Sequence, residues 1–208
     1  VQRVTYGSTG DPDMYGHLQP STDAFLSCSF DHQDDTWCVD TRLIGDYNLP
    51  NVLAAACVGL HFKVEPARIA QALDNYTPSN NRSQFSDTGR NQLVLDAYNA
   101  NPSSMQVALE NFAAMRKDRP KLAILGGMKE LGADSHAEHM AIVDTVKRLG
   151  ADAVFVGPEF VELAGMGITA YPDANAALEA FKRKPLTGYL ILVKGSRGTK
   201  LETLVPAL

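Results

Sequence analysis

Three short stretches hold side chains whose types and spacing suit chemistry. The first is Asp96-Ala97-Tyr98-Asn99-Ala100-Asn101-Pro102, the second Gly126-Gly127-Met128-Lys129-Glu130-Leu131-Gly132, and the third Lys194-Gly195-Ser196-Arg197-Gly198. Asn101-Pro102 reads as a helix start, because Asn caps free N–H groups and Pro fits the first helical position. That leaves Asp96, Tyr98 and Asn99 as candidates for holding a ligand. Gly126-Gly127 suits either a tight turn or close backbone approach to a ligand. In the third stretch, Lys194 and Arg197 flank glycine backbone N–H groups, a combination that attracts a carboxylate or phosphate. A solvated charged turn is the alternative reading of that stretch.

Other groups carry less. His136 and His139 lie three apart beside Glu138. Zinc requires three or four protein ligands and no further His/Cys cluster is evident, so this is read as a surface helix face. Assistance to a hydrated cation is the alternative. Trp37 and Cys38 are expected in the core of a β-layer. There is no GxSxG, HExxH, CxxC or GxxxxGK[ST] motif. Gly195-Ser196-Arg197-Gly198-Thr199-Lys200 has the ingredients of a phosphate loop in the wrong order.

The elements that must position these residues follow from periodicity. Gln92–Asp96, Lys121–Leu125, Ala153–Val156, Ile168–Tyr171 and Tyr189–Val193 are brief apolar runs suited to strands buried on both faces. Helical patterns over Ser103–Lys117, Ser135–Leu149, Glu159–Ala164 and Ala174–Lys182 alternate with them, and a last helix is expected over Thr199–Leu204. Alternation of this kind implies a parallel sheet with helices on both faces. Loops leaving the carboxyl ends of such strands share one edge, where ligands bind. Asp96, Asn99, Lys194, Ser196 and Arg197 should therefore lie on one rim, with strand order left open.

Upstream the pattern differs. Val1–Tyr6, Asp23–Phe30 and Thr36–Thr41 read as strands, and Gly7–Pro20 as loop. Leu49–Leu60 reads as a buried Ala-rich helix with Asn48 as its N-cap, and Ala67–Leu73 as a second helix. The polar stretch Tyr76–Arg82 marks a domain boundary, giving residues 1–79 and 80–208.

The 208 residues are 45% hydrophobic and 21% charged, with a net charge of −5. This excludes a disordered chain and argues against a general nucleic-acid binder, which needs a basic surplus. No apolar run approaches the ~20 residues of a membrane helix, and no signal segment opens the chain. Cys28, Cys38 and Cys57 are read as reduced thiols of a cytoplasmic protein. The Val at position 1 suggests a processed product or part of a longer protein.

Three stretches together, Asp96 to Met105, Leu125 to Gly132 and Leu192 to Arg197, resemble the Mur ligases. The resemblance is nearest to the branch that adds D-alanyl-D-alanine to UDP-N-acetylmuramoyl-tripeptide. Thr5-Tyr6-Gly7, Gly45-Asp46-Tyr47-Asn48-Leu49-Pro50-Asn51 and Arg82 fall in the family's order. The resemblance implies the end of a central ATPase domain, a partial α+β piece at 1–79, followed by a Rossmann-like C-terminal α/β domain at 80–208. It implies an ATP- and Mg²⁺-dependent ligase of peptidoglycan precursor synthesis, monomeric when complete. The phosphate loop, Mg²⁺ ligands and carbamylated lysine would lie upstream of Val1, so no catalytic residue is expected here and the piece alone should be inactive.

The resemblance also implies site roles. Asn48 and Asn51 match an HNxxN pattern near the nucleotide, with Tyr47 where the family has His. Arg82 matches an interdomain arginine that reaches ATP, and Asp96 a ribose-binding aspartate. Tyr98 and Asn99 would hold the nucleotide from the C-terminal side. Charge and position suggest Lys194, Ser196 and Arg197 for the carboxylate of the incoming dipeptide. Gly127 replaces the Asp of the family's GDMxELG. Another amino-acid ligase of the superfamily, a nucleotide-binding module without catalysis, and a plain structural domain are the competing expectations.

Overall fold

The computed structural model describes residues 3–21, 25–79, 81–115 and 119–208. The chain divides into two compact units, Val1–Pro78 and Ser79–Leu208.

In the first unit, β1 (Tyr6–Gly7), β2 (Met14–Leu18), β3 (Phe25–His32) and β4 (Asp35–Ile44) form a sheet in that order. β1 runs parallel to β2, and the remaining pairs are antiparallel. Helices α1 (Leu49–His61) and α2 (Pro66–Asn75) cover it. α1 buries Leu49, Val52, Leu53, Ala56 and Cys57, one stripe at helical spacing. They join Leu26, Cys28, Phe30 and Val39 in one core. Gly16 makes the close approach possible: a Cβ there would lie 2.2 Å from the Leu53 side chain.

The second unit opens with β5 (Gln84–Asp87) and β6 (Gln92–Asp96), followed by α3 (Pro102–Ala114) and β7 (Lys121–Gly126). Then come α4 (Ser135–Leu149), β8 (Ala153–Val156), the short α5 (Pro158–Val161), β9 (Thr169–Tyr171), α6 (Ala174–Arg183) and β10 (Leu190–Lys194). The sheet order is β5-β6-β10-β7-β8-β9. Every pair is parallel except β5 on β6.

The chain therefore steps outward from β7 to β9 and returns through α6 to insert β10 between β6 and β7. Right-handed crossovers put α3, α4 and α5 on one face and α6 on the other. In keeping with this, α3 packs on α4 and α4 on α5, while α6 packs against a closing 3-10 helix, Leu201–Ala207. Leu93, Leu95, Ile124, Ile191 and Val193 meet Ala177, Phe181 and Leu204 in one core layer. Helices thus cover both faces of a mostly parallel sheet, as the alternating pattern predicts.

Several local expectations change. The stretch Gly7–Pro20 is not all loop, because β2 lies within it, paired to β3 through Gly16, His17 and Leu18. β5, a polar edge strand, was not foreseen. The last helix is 3-10 and starts later, at Leu201. Cys38 is exposed, because the pleat turns Val39 into the core and Cys38 away from it. The starts of the strands expected at Val1 and Asp23, and the end of the helix expected at Lys117, lie outside the described residues.

Candidate functional site

The parallel register decides which predicted residues meet. Lys194 closes β10 opposite Asp96 on β6 and Leu125 on β7. Adjacent parallel strands thus bring residues 98 positions apart side by side. Lys194 Nζ donates to Asp96 Oδ2 at 2.5 Å. The lysine side chain is only 3% exposed and the aspartate 17%. A buried ammonium needs such a partner, since desolvating it alone is costly. Asp96 Oδ1 also accepts from the Ser83 N–H at 3.4 Å. The lysine charge is already neutralised within the fold, and Arg197 is the exposed cation of its loop.

Residues close in the chain to this pair and to Ser83 form a cationic stack. The Arg82 guanidinium sits 3.6 Å from the centre of the Tyr98 ring, and that of Arg197 5.5 Å from it. A ring face attracts guanidinium groups and holds them without consuming their N–H donors. Both arginines are exposed. Beside them is a cavity of about 350 Å³ lined by Asn81, Ala97, Tyr98, Arg197 and Glu202. Two cations, an aromatic face and a carboxylate at a strand end can receive a phosphorylated, hydroxyl-bearing ligand.

The three loops are stitched together. Ser196 N–H donates to Gly127 O at 3.3 Å, and Lys129 N–H donates to Ser196 Oγ at 3.1 Å. Ser196 Oγ in turn donates to Ala100 O at 3.4 Å. Gly126 and Gly195 allow this: a Cβ on Gly195 would lie 2.8 Å from Gly126 Cα. The two glycines therefore serve close approach of β7 and β10. Asn101 caps α3 as its sequence predicts, accepting from Ser104 N–H at 2.8 Å, with Ser104 Oγ accepting from the Asn101 N–H in return. Asn99 is exposed, and its Oδ1 accepts from the Ala100 N–H at 3.0 Å.

In the first unit, Asn48 and Asn51 form their own pair. Asn48 Nδ2 donates to Ile44 O at 2.8 Å, and Asn51 Nδ2 donates to Asn48 Oδ1 at 3.0 Å. Asn48 precedes α1 but does not cap it with its side chain. Its backbone is already helical, at φ −84° and ψ −7°, which aims the amide away from the first-turn N–H groups. The pair instead fixes Asn51, exposed at the start of α1.

Three further residues hold the rim without having been singled out for it. His139 is fully buried, against the expectation of a surface face. Its Nε2 accepts from Met128 N–H at 2.9 Å, which leaves Nδ1 to donate to Ser135 O at 2.6 Å. His139 shares a helical stripe with Ile142, Val143 and Val146, and that spacing was the available signal. His136 is exposed, and among the described residues no three His, Cys, Asp or Glu side chains converge as metal ligands. Lys129 and Glu159 form an ion pair across the ends of β7 and β8. Nothing in the local sequence announces Glu159.

The model for the "Mur ligase, glutamate ligase domain" matches residues 81–197. The UDP-N-acetylmuramoyl-tripeptide–D-alanyl-D-alanine ligase of Escherichia coli is 34% identical over 191 residues, 86% of this chain and 41% of that protein. The ligase of the same name from Bacillus subtilis is 29% identical over 80% of this chain and 38% of its own length. The present chain thus spans about two-fifths of these relatives. In fold, it matches MurF of Acinetobacter baumannii with a TM-score of 0.82 at 24% identity, over 98% of this chain and 46% of that one. MurF ligase of Thermotoga maritima, solved in complex with ADP, matches with a TM-score of 0.76 at 20% identity, over 98% of this chain and 47% of that one. With the glutamate ligase domain covering more than half of its length, this chain belongs to the Mur ligase family.

Proposed function

We propose that this chain is the C-terminal part of an ATP-dependent amide ligase that joins D-alanyl-D-alanine to UDP-N-acetylmuramoyl-tripeptide. The observation that carries this reading is the meeting of Asp96 and Lys194 at adjacent strand ends, whose following loops bring Tyr98 and Arg197 together with Arg82. This donor set fits a nucleotide. Arg82 and Arg197 offer charge-assisted donors to phosphate oxygens. Tyr98 offers a ring face. Asp96 offers its carboxylate to ribose hydroxyls, with Lys194 holding it in one orientation. Arg197 serves as well for the dipeptide carboxylate, with Ser196, hydrogen-bonded to Lys129 and Ala100, and Lys194, neutralised by Asp96, holding its loop.

ATP supplies the phosphoryl group that turns a carboxylate, a poor electrophile, into an acyl phosphate open to attack by the dipeptide amine. The residues of this chain act on binding and orientation, and on excluding water that would hydrolyse the activated carboxyl. The phosphate loop and Mg²⁺ ligands belong to the remainder of the enzyme in this reading. No helix among the described residues is long and apolar enough to cross a membrane. That is compatible with a cytoplasmic enzyme, which this reading adopts together with a monomeric state.

The test is substrate choice by the complete ligase that carries this chain. ADP release with UDP-N-acetylmuramoyl-tripeptide is expected to depend on D-alanyl-D-alanine. Release supported instead by a single amino acid on a shorter UDP-linked acceptor would assign the chain to another branch of the family.

A further inference from the structure

Gly127 has no side chain, yet a carboxylate occupies the space beside it. A Cβ built on Gly127 would lie 2.6 Å from Oε2 of Glu159 and 3.1 Å from its carboxyl carbon. At those distances a side chain at 127 and the Glu159 carboxylate in its present place exclude one another. Gly157, at φ 138°, lies beside Gly127, and a Cβ there would lie 2.7 Å from the same oxygen. Oε1 of Glu159 pairs with Lys129 Nζ, and Oε2 is buried without a hydrogen-bond partner. The backbone at 127 is not in the left-handed region, so an aspartate would be permitted there if Glu159 were absent. Lys129 N–H holds Ser196 Oγ, and Gly127 O holds Ser196 N–H.

We propose that Glu159 supplies, from the first turn of α5, the carboxylate that an aspartate at position 127 would place at this rim. It acts as a positioning residue that fixes Lys129 and, through the Lys129 and Gly127 backbone, Ser196. One carboxylate fits this space, so positions 127 and 159 are alternatives for it.

The test is amide hydrogen exchange at Lys129 and Ser196 in the 208-residue chain, which reports local opening. E159Q keeps the volume and loses the charge. It is expected to speed exchange at both amides about tenfold, equivalent to about 1.4 kcal/mol, while the amides of α6 are unchanged. G127D alone, forcing two carboxylates together, is expected to do at least as much. G127D/E159A is expected to return both rates to within about twofold of wild type. Additive losses in the double variant, or unchanged exchange in E159Q, would overturn the proposal.

Discussion

At the scale of single residues, the site is a set of charges whose partners are fixed by burial. Lys194 is buried and Asp96 is its only ion-pair partner among the described residues. Asp96→Ala leaves an ammonium buried and unpaired, and is expected to destabilise the chain by about 3–5 kcal/mol in urea unfolding. Asp96→Asn keeps an acceptor and should destabilise it less. Glu159 titrates in the opposite sense to a simply buried acid. Burial works to raise its pKa, but the hydrogen bond and charge of Lys129 outweigh this and hold it below 4.5. Stabilisation by that pair is therefore complete above about pH 4.5 and lost as pH falls through the lower folded-state value. The difference in unfolding midpoint between wild type and E159Q should be constant from neutral pH to about pH 4.5 and vanish in more acid solution. The thiols divide similarly. Burial, with Asp40 and Asp74 adding, pushes Cys28 up to about 11, whereas Cys38 is exposed. A disulfide reagent near pH 8 should label Cys38 quickly and reach Cys28 only on unfolding.

At the scale of elements, the sheet does most of the positioning, and the loops are held by a few short-range devices. His139 of α4 closes the loop after β7 by accepting from Met128 N–H. His139→Ala orphans that buried N–H and should cost about 1–3 kcal/mol, while His136→Ala should change stability by less than about 0.5 kcal/mol. Gly195→Ala drives a Cβ to 2.8 Å from Gly126 Cα and should cost about 1–3 kcal/mol through overpacking. The buried strands were legible because apolar runs such as Leu122–Leu125 and Leu190–Val193 have no other use than a two-faced core. Two strands were not. β2 contains Gly16, whose role is to admit Leu53, and only the packed partner reveals it. β5 reads Gln-Phe-Ser-Asp and is an edge strand whose half-buried residues follow no clean alternation. His139 could have been read from its stripe with Ile142, Val143 and Val146. The short distance between 136 and 139 drew attention to the wrong pairing.

At the scale of the whole molecule, the chain is two units with separate cores. Limited proteolysis should cut first near Pro78–Ser79, and the Ser79–Leu208 product should retain the amide spectrum it has in the full chain. The rim itself was foreseen from strand direction, since all parallel strands present their carboxyl ends together. The insertion of β10 between β6 and β7 was not, because no local pattern encodes strand order. That insertion is what makes Asp96 and Lys194 neighbours rather than residues at two ends of one edge. The same holds for Glu159, which reaches Gly127 only because β8 lies beside β7.

The claim that this rim is the C-terminal half of a nucleotide site is tested most directly by steady-state kinetics of the complete ligase with Asp96→Asn. The KM for ATP is expected to rise about tenfold or more, as loss of charge-assisted hydrogen bonds implies, with the KM for the dipeptide changed less than about twofold. An unaltered KM for ATP in a folded variant would contradict it.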